Sequence, residues 1–182
     1  REWRQFRLLA HDSVRRLLSS VVLTRDGDPL QFAIWVTALA TTPPSLYAFS
    51  QIFKYALLRR ATPEVMERVV LGDRMFFVLY AMIAAALLAA LTWEALVPDR
   101  TDQEIVGVLP VRPRTLAAAR LTAAMTMATA FAVAINLPAS VFFALVAATH
   151  PLLGSVPMVF IAHLTMTVAA ALTVFLALLA VR

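Results

Sequence analysis

The chain has 182 residues and a net charge of +5, yet only 15% of its residues are charged and 61% are hydrophobic. An average soluble domain carries about 25% charged residues, so a water-exposed globule is excluded; the basic excess flanks apolar segments, which suits anionic lipid head groups rather than nucleic acid. Cysteine is absent, which removes disulfides, Cys-bearing metal sites and thiol nucleophiles.

The first 24 residues read as an amphipathic helix. At about 100° per residue, Trp3, Phe6, Ala10, Val14, Leu17 and Val21 share a narrow sector, while Arg1, Arg4, Arg15 and Arg16 lie opposite. A basic face against an aromatic and aliphatic one is the pattern of a helix lying in the membrane interface. The expected membrane contacts are Trp3, Phe6, Val14 and Leu17 on the apolar side and Arg4 and Arg15 on the polar side. No charged, apolar and small-residue succession opens the chain, so a signal peptide is not expected.

Residues 29–182 read as a transmembrane helical bundle. A crossing needs roughly 20 helical residues. Asp28 and Lys54 enclose 25 residues without charge, Arg74 and Glu94 enclose 19, and 61 more run from Leu121 to Val181. The last run breaks at the Pro/Gly cluster of residues 150–157, which closes a hairpin. Four spans are therefore predicted, at about 29–53, 75–97, 116–147 and 156–181. The first holds Pro43-Pro44 in its middle and is expected to be sharply kinked or re-entrant. The second is expected to start before its apolar core, at Thr62-Pro63-Glu64, and Thr115 to cap the third. Pro138 is expected to bend the third. Small residues recur every fourth position, at Ala81, Ala85 and Ala89; at Thr122, Thr126, Ala130 and Ala134; and at Thr165, Ala169, Thr173 and Ala177. Such stripes let helices approach closely in lipid.

The basic residues leave topology tied, with eleven on one side whether the first segment spans or re-enters. The most distinctive polar sequence joins the second and third spans, over residues 93–115. Thr101-x-x-Glu104 is a capping box, and Gly107 and Pro110 stop the short helix it begins. That helix carries Ile105, Val106, Val108 and Leu109 on one side and charge on the other, a design suited to docking.

In this layout the chain resembles the membrane subunits of type-2 ATP-binding-cassette (ABC) exporters, with an elbow helix before the first span and a coupling helix between the second and third. Asp99, Asp102, Glu104, Ile105, Gly107, Leu109 and Pro110 match the family's acidic and Leu-Pro elements, and Arg120 stands where a basic residue often begins the third span. The resemblance implies an all-α integral membrane permease of the cell membrane, multi-pass and bacterial. It also implies a homo- or hetero-dimer of permeases whose coupling helix, in the cytoplasm, contacts a separate ATPase subunit through those seven residues. The family usually has six spans, so four imply part of a longer permease.

The chemistry found elsewhere in the chain is sparse. Gly27, Gly72, Gly107 and Gly154 form no phosphate-binding loop, so ATP hydrolysis belongs to a partner and no catalytic site, cofactor or metal is expected here. His163 is expected to be a hydrogen-bonding partner inside the bundle. No other ionisable residue is expected well inside a span, which favours energy supplied from outside the membrane over ion coupling. The function expected is export permease; the alternative is a scaffold or assembly subunit that does not transport.

Overall fold

The computed structural model describes residues 2–21, 29–96, 112–149 and 153–181. Five α-helices carry nearly all of them: α1 (Glu2–Val21), α2 (Pro29–Leu57), α3 (Pro63–Leu96), α4 (Pro113–Ala147) and α5 (Val156–Ala180), with a 3-10 turn at Leu58–Arg60 between α2 and α3. Among the described residues three helices are long and apolar enough to cross a bilayer: α3 over Pro63–Thr92, α4 over its whole length, and α5. The protein is an all-α, multi-pass membrane protein.

The fourth expected span, α2, is long enough but does not join those three. Its 29 residues include Thr37, Thr41, Thr42, Ser45, Ser50, Gln51 and Lys54, so polar side chains recur along its length. Nor is it re-entrant. One unbroken helix runs through Pro43-Pro44, about 43 Å at 1.5 Å per residue. The prolines withhold the amide donors that Leu39 and Ala40 would have received. The Tyr80 hydroxyl of α3 donates to the Ala40 carbonyl at 2.6 Å and replaces one of them, while Thr41 Oγ1 and Thr42 Oγ1 bond back to the Thr37 and Ala38 carbonyls at 2.7 and 2.9 Å in the turn just before the prolines.

The other helix starts follow ordinary end chemistry. Helix α3 begins at Pro63, with the Met66 amide donating to the Thr62 carbonyl at 3.0 Å, as the sequence suggests. Helix α4 begins at Pro113 with Arg112 as its extended N-cap, so Thr115 falls inside the first turn and is not the cap. Proline at the first position needs no donor, which is why the helix starts there rather than two residues later. Between α4 and α5 the chain reverses through Gly154, whose φ of 89° only glycine adopts without strain.

Packing order differs from chain order. Helix α2 packs mainly on α4, α3 and α4 both pack on α5, and α1 lies along α4 and α3. Helices α2 and α3, although joined by a five-residue turn, bring their backbones together at few points. Tyr55, Met66, Phe77, Phe143 and Val159 fill the core at the end where both hairpins reverse. Ala81, Ala85, Ala132 and Ala171 form a narrow waist. Leu88, Ala124, Ala128 and Phe175 fill the other end, with Val14 of α1 packed against them.

Of the three small-residue stripes, only Ala81, Ala85 and Ala89 face the core. The stripes on α4 and α5 lie on the outer surface, and Ala119, Ala123, Ala128 and Ala132 on α4 and Thr167 and Ala171 on α5 face inward instead. The outward threonines bond back along their own helices, Thr122 to Ala118 at 2.8 Å and Thr173 to Ala169 at 2.8 Å. A hydroxyl satisfied within its own helix tolerates an apolar surround, so small size alone does not select the buried face.

Candidate functional site

Helix α2 carries Tyr47, Gln51, Lys54 and Tyr55 at spacings that place them on one face. Opposite them, about three turns into α3, stands Asp73, only 1% exposed. Its Oδ1 accepts from the Tyr47 hydroxyl at 2.8 Å and from Lys54 Nζ at 2.6 Å, and its Oδ2 accepts from the Tyr55 hydroxyl at 3.1 Å. A buried carboxylate is tolerable only when paired and hydrogen-bonded. Here one cation and two phenols supply that. Three long side chains thus span a gap that the two backbones do not close.

The clasp sits at a definable depth. The uncharged stretch after Arg74 runs 19 residues to Glu94, about 28 Å of helix, close to the thickness of the hydrocarbon layer. Asp73 and Arg74 therefore stand at one end of that uncharged stretch. Lys54, 39% exposed, reaches Asp73 from the end of α2.

Aromatic rings close a circuit around the clasp. Tyr55 meets Phe143 edge-on at 6.2 Å, Phe143 stacks on His163 at 4.6 Å, His163 meets Phe77 at 4.7 Å, and Phe77 meets Tyr47 at 5.5 Å. All four long helices contribute. Against expectation, His163 makes no hydrogen bond with the described residues: it is 1% exposed, and both ring nitrogens lack a partner. Phe77 and Phe143 occupy the space a polar partner would need. Gln51 Oε1, Arg74 Nε and Ser140 Oγ are likewise buried without a partner among the described residues.

Beyond the clasp, toward the middle of the bundle, α2 and α3 leave an apolar cleft floored by α4. Its volume is about 210 Å³, and Val36, Ala40, Tyr80, Ala84, Met127 and Phe131 are among its walls. Ile83, Leu87 and Leu91 line its outer edge and are exposed, so the cleft is open along one side. The Tyr80 bond to Ala40 and the stack of Tyr47 on Phe76, at 3.9 Å, separate it from Asp73.

Asp73 is a residue the sequence analysis did not single out; it stands at the edge of the uncharged stretch of α3, so it leaves open the expectation that no ionisable group but His163 lies well inside a span. A signal was present: a helix start at Thr62-Pro63 puts Asp73 within α3, and Tyr47, Gln51 and Tyr55 form a polar stripe at intervals of four.

The expected coupling residues, Asp99, Asp102, Glu104, Ile105, Gly107, Leu109 and Pro110, lie outside the described residues. On α1, Trp3 is exposed and stacks on Phe6 at 5.6 Å, while Val14 faces the bundle. Arg4, Arg15 and Leu17 belong to the same helix. No protein-family model, curated protein or solved structure matches this chain.

Proposed function

We propose that this chain is the permease subunit of an ATP-driven exporter in a bacterial cell membrane, working as a homo- or hetero-dimer and coupled to a separate ATPase through residues 99–114. The observation that carries this reading is the sequence of that segment, with its capping box, its Gly/Pro stop and its apolar Ile105 and Leu109, set between α3 and α4. At 34 and 35 residues these are the longest helices among those described, about 50 Å each against a hydrocarbon layer of about 30 Å. Helices of that length support a segment held clear of the lipid, within reach of a soluble partner. The elbow role of α1 belongs to the same proposal.

The clasp bears on the energy source. Asp73 is already neutralised by Lys54 and two phenols, so it has the character of a structural tie rather than an ion carrier. That supports energy delivered from outside the membrane.

The test compares Ile105→Asp, Leu109→Asp and Val159→Asp. Docking surfaces concentrate binding in a few buried side chains, so each loop variant is expected to cost about 2 kcal/mol or more of partner affinity. Membrane yield should stay normal while ATP hydrolysis is uncoupled from transport. Val159 is buried in α5, so a charge there should lower yield instead. Normal coupling in both loop variants would overturn the exporter reading and favour a scaffold subunit.

A further inference from the structure

We infer that a second groove, between the ends of α2 and α4, holds the head group and upper acyl chain of an anionic phospholipid, with Arg59 on its phosphate. The inference rests neither on export nor on which side of the membrane this end faces.

Ile52, Ala56 and Arg59, from the end of α2 and the turn after it, form one wall; Leu145, Val146 and Thr149, from the end of α4, form the other. Ile52, Ala56 and Arg59 stand at intervals of four and three, and Leu145 and Thr149 at an interval of four, so each wall is one helix face. Val146 is buried and makes the floor, while the other five are exposed, so the groove opens outward. About one turn further in, Phe49 meets Phe142 edge-on at 6.3 Å and bridges the two helices. The volume is about 510 Å³, within the range of about 300–1,000 Å³ usual for ligand sites.

Charge in the groove's own wall selects the occupant. Ile52 lies in the uncharged run that ends at Lys54, and Arg59 lies five residues beyond it. The α4 wall belongs to the run from Leu121 to Val181 and offers Arg59 no carboxylate. Arg59 makes no ion pair among the described residues. The groove is thus apolar at its inner end and carries its one charge at the outer end. A soluble anion would use Arg59 and leave the apolar wall bare; a zwitterionic lipid would bring a second cation to it. An anionic phospholipid matches both ends. With Asp73 tied to Lys54, Arg59, Arg60, Arg68 and Arg74 outnumber Glu64 and Glu67 at this end of the chain, which also favours negative charge. The carbonyl end of α4 disfavours a phosphate beside Thr149, so the phosphate belongs at Arg59. Thr149 Oγ1 donates to the Val146 carbonyl at 2.7 Å, which leaves its oxygen to accept from a head-group hydroxyl, as in phosphatidylglycerol.

The experiment places the full chain in phosphatidylcholine nanodiscs containing a trace of phosphatidylglycerol or phosphatidylcholine, each with a diazirine near the glycerol end of one acyl chain. After irradiation, mass spectrometry is expected to find Ile52, Ala56 and Leu145 labelled about fivefold more by the phosphatidylglycerol probe, the advantage of one basic residue near an anionic lipid. Met158 and Ile161, exposed on the uncharged helix α5, should show no preference. Arg59 is exposed, so Arg59→Gln leaves the core intact. It should reduce groove labelling by phosphatidylglycerol to the phosphatidylcholine level and leave Met158 unchanged. Arg60→Gln, which removes an exposed charge outside the groove's wall, should keep most of the preference. Four results would overturn the proposal: equal groove labelling by the two probes, a preference that survives Arg59→Gln, an equal loss in Arg60→Gln, or displacement of the lipid by inorganic phosphate.

Discussion

The hydroxyl of Tyr80 donates to the carbonyl of Ala40, the acceptor that Pro44 strips of its helical donor. A defect in one helix is thus repaired by a side chain of another. Tyr80→Phe leaves that carbonyl bare in an apolar surround and is expected to cost about 1–3 kcal/mol. Pro44→Ala restores the missing amide, so the same Phe substitution in that background should cost much less. Thermal unfolding of the four proteins in detergent measures this cycle; equal cost of Tyr80→Phe in both backgrounds would show that the bond does not carry the effect.

The Asp73–Lys54 pair gives a second cycle. Lys54→Met leaves a buried carboxylate with only two neutral donors. Breaking a fully buried pair costs about 3–5 kcal/mol, and the partial exposure of Lys54 reduces the expected loss to about 2 kcal/mol. Asp73→Asn removes the charge yet keeps hydrogen-bonding capacity, so adding it to Lys54→Met should recover part of the loss. Additive losses in the double variant would argue against a coupled pair.

His163 tests whether an unpartnered polar group matters for folding. Its two ring nitrogens lack partners among the described residues, and its ring packs between Phe77 and Phe143. His163→Phe keeps the aromatic contacts and removes the buried polar atoms, so stability should change by less than about 1 kcal/mol or rise. A much larger loss, read in the same unfolding assay, would mean that the nitrogens have partners after all.

Topology can be read directly because the chain has no cysteine. Single cysteines at Gln103 and at Thr62, in the short turn before α3, should react with impermeant maleimide from opposite sides of the membrane. The exporter reading places Gln103 in the cytoplasm. Labelling of both from one side would contradict the crossing of α3.

Much of the architecture was legible from charge spacing alone. The uncharged runs located α3, α4 and α5, and the Pro/Gly cluster after Ala147 located the second hairpin, because lipid punishes charge and helices stop where donors run out. What the sequence hid depended on contacts between distant helices. Proline stiffness implied a kink or a re-entrant turn in α2, and the bond that supports the continuous helix comes from Tyr80, 40 residues away from the carbonyl it satisfies. The buried face of α4 was misread because alanine occurs all around that helix, and only its neighbours decide which alanines are inside. The burial of Asp73 was hidden for the same reason: it requires Tyr47 and Tyr55, which a local window does not connect to it.

The packing order has a consequence for how the chain is built. Helix α2 leaves the ribosome long before α4, the helix on which it mainly rests, and α1 depends on α4 as well. Until α4 arrives, the first hairpin has little backbone contact of its own, and its two arms are held by side chains: the ties through Asp73 and Tyr80 and the packing of Tyr47 on Phe76 and Phe77. Synthesis from the N-terminus lets early elements form first in many proteins. Here the early helices must wait, and a nascent chain truncated before Pro113 has no wall against which α2 can settle. Truncation before Val156 withholds α5 as well, the shared support of α3 and α4. Assembly of these five helices therefore waits until α5 has been made.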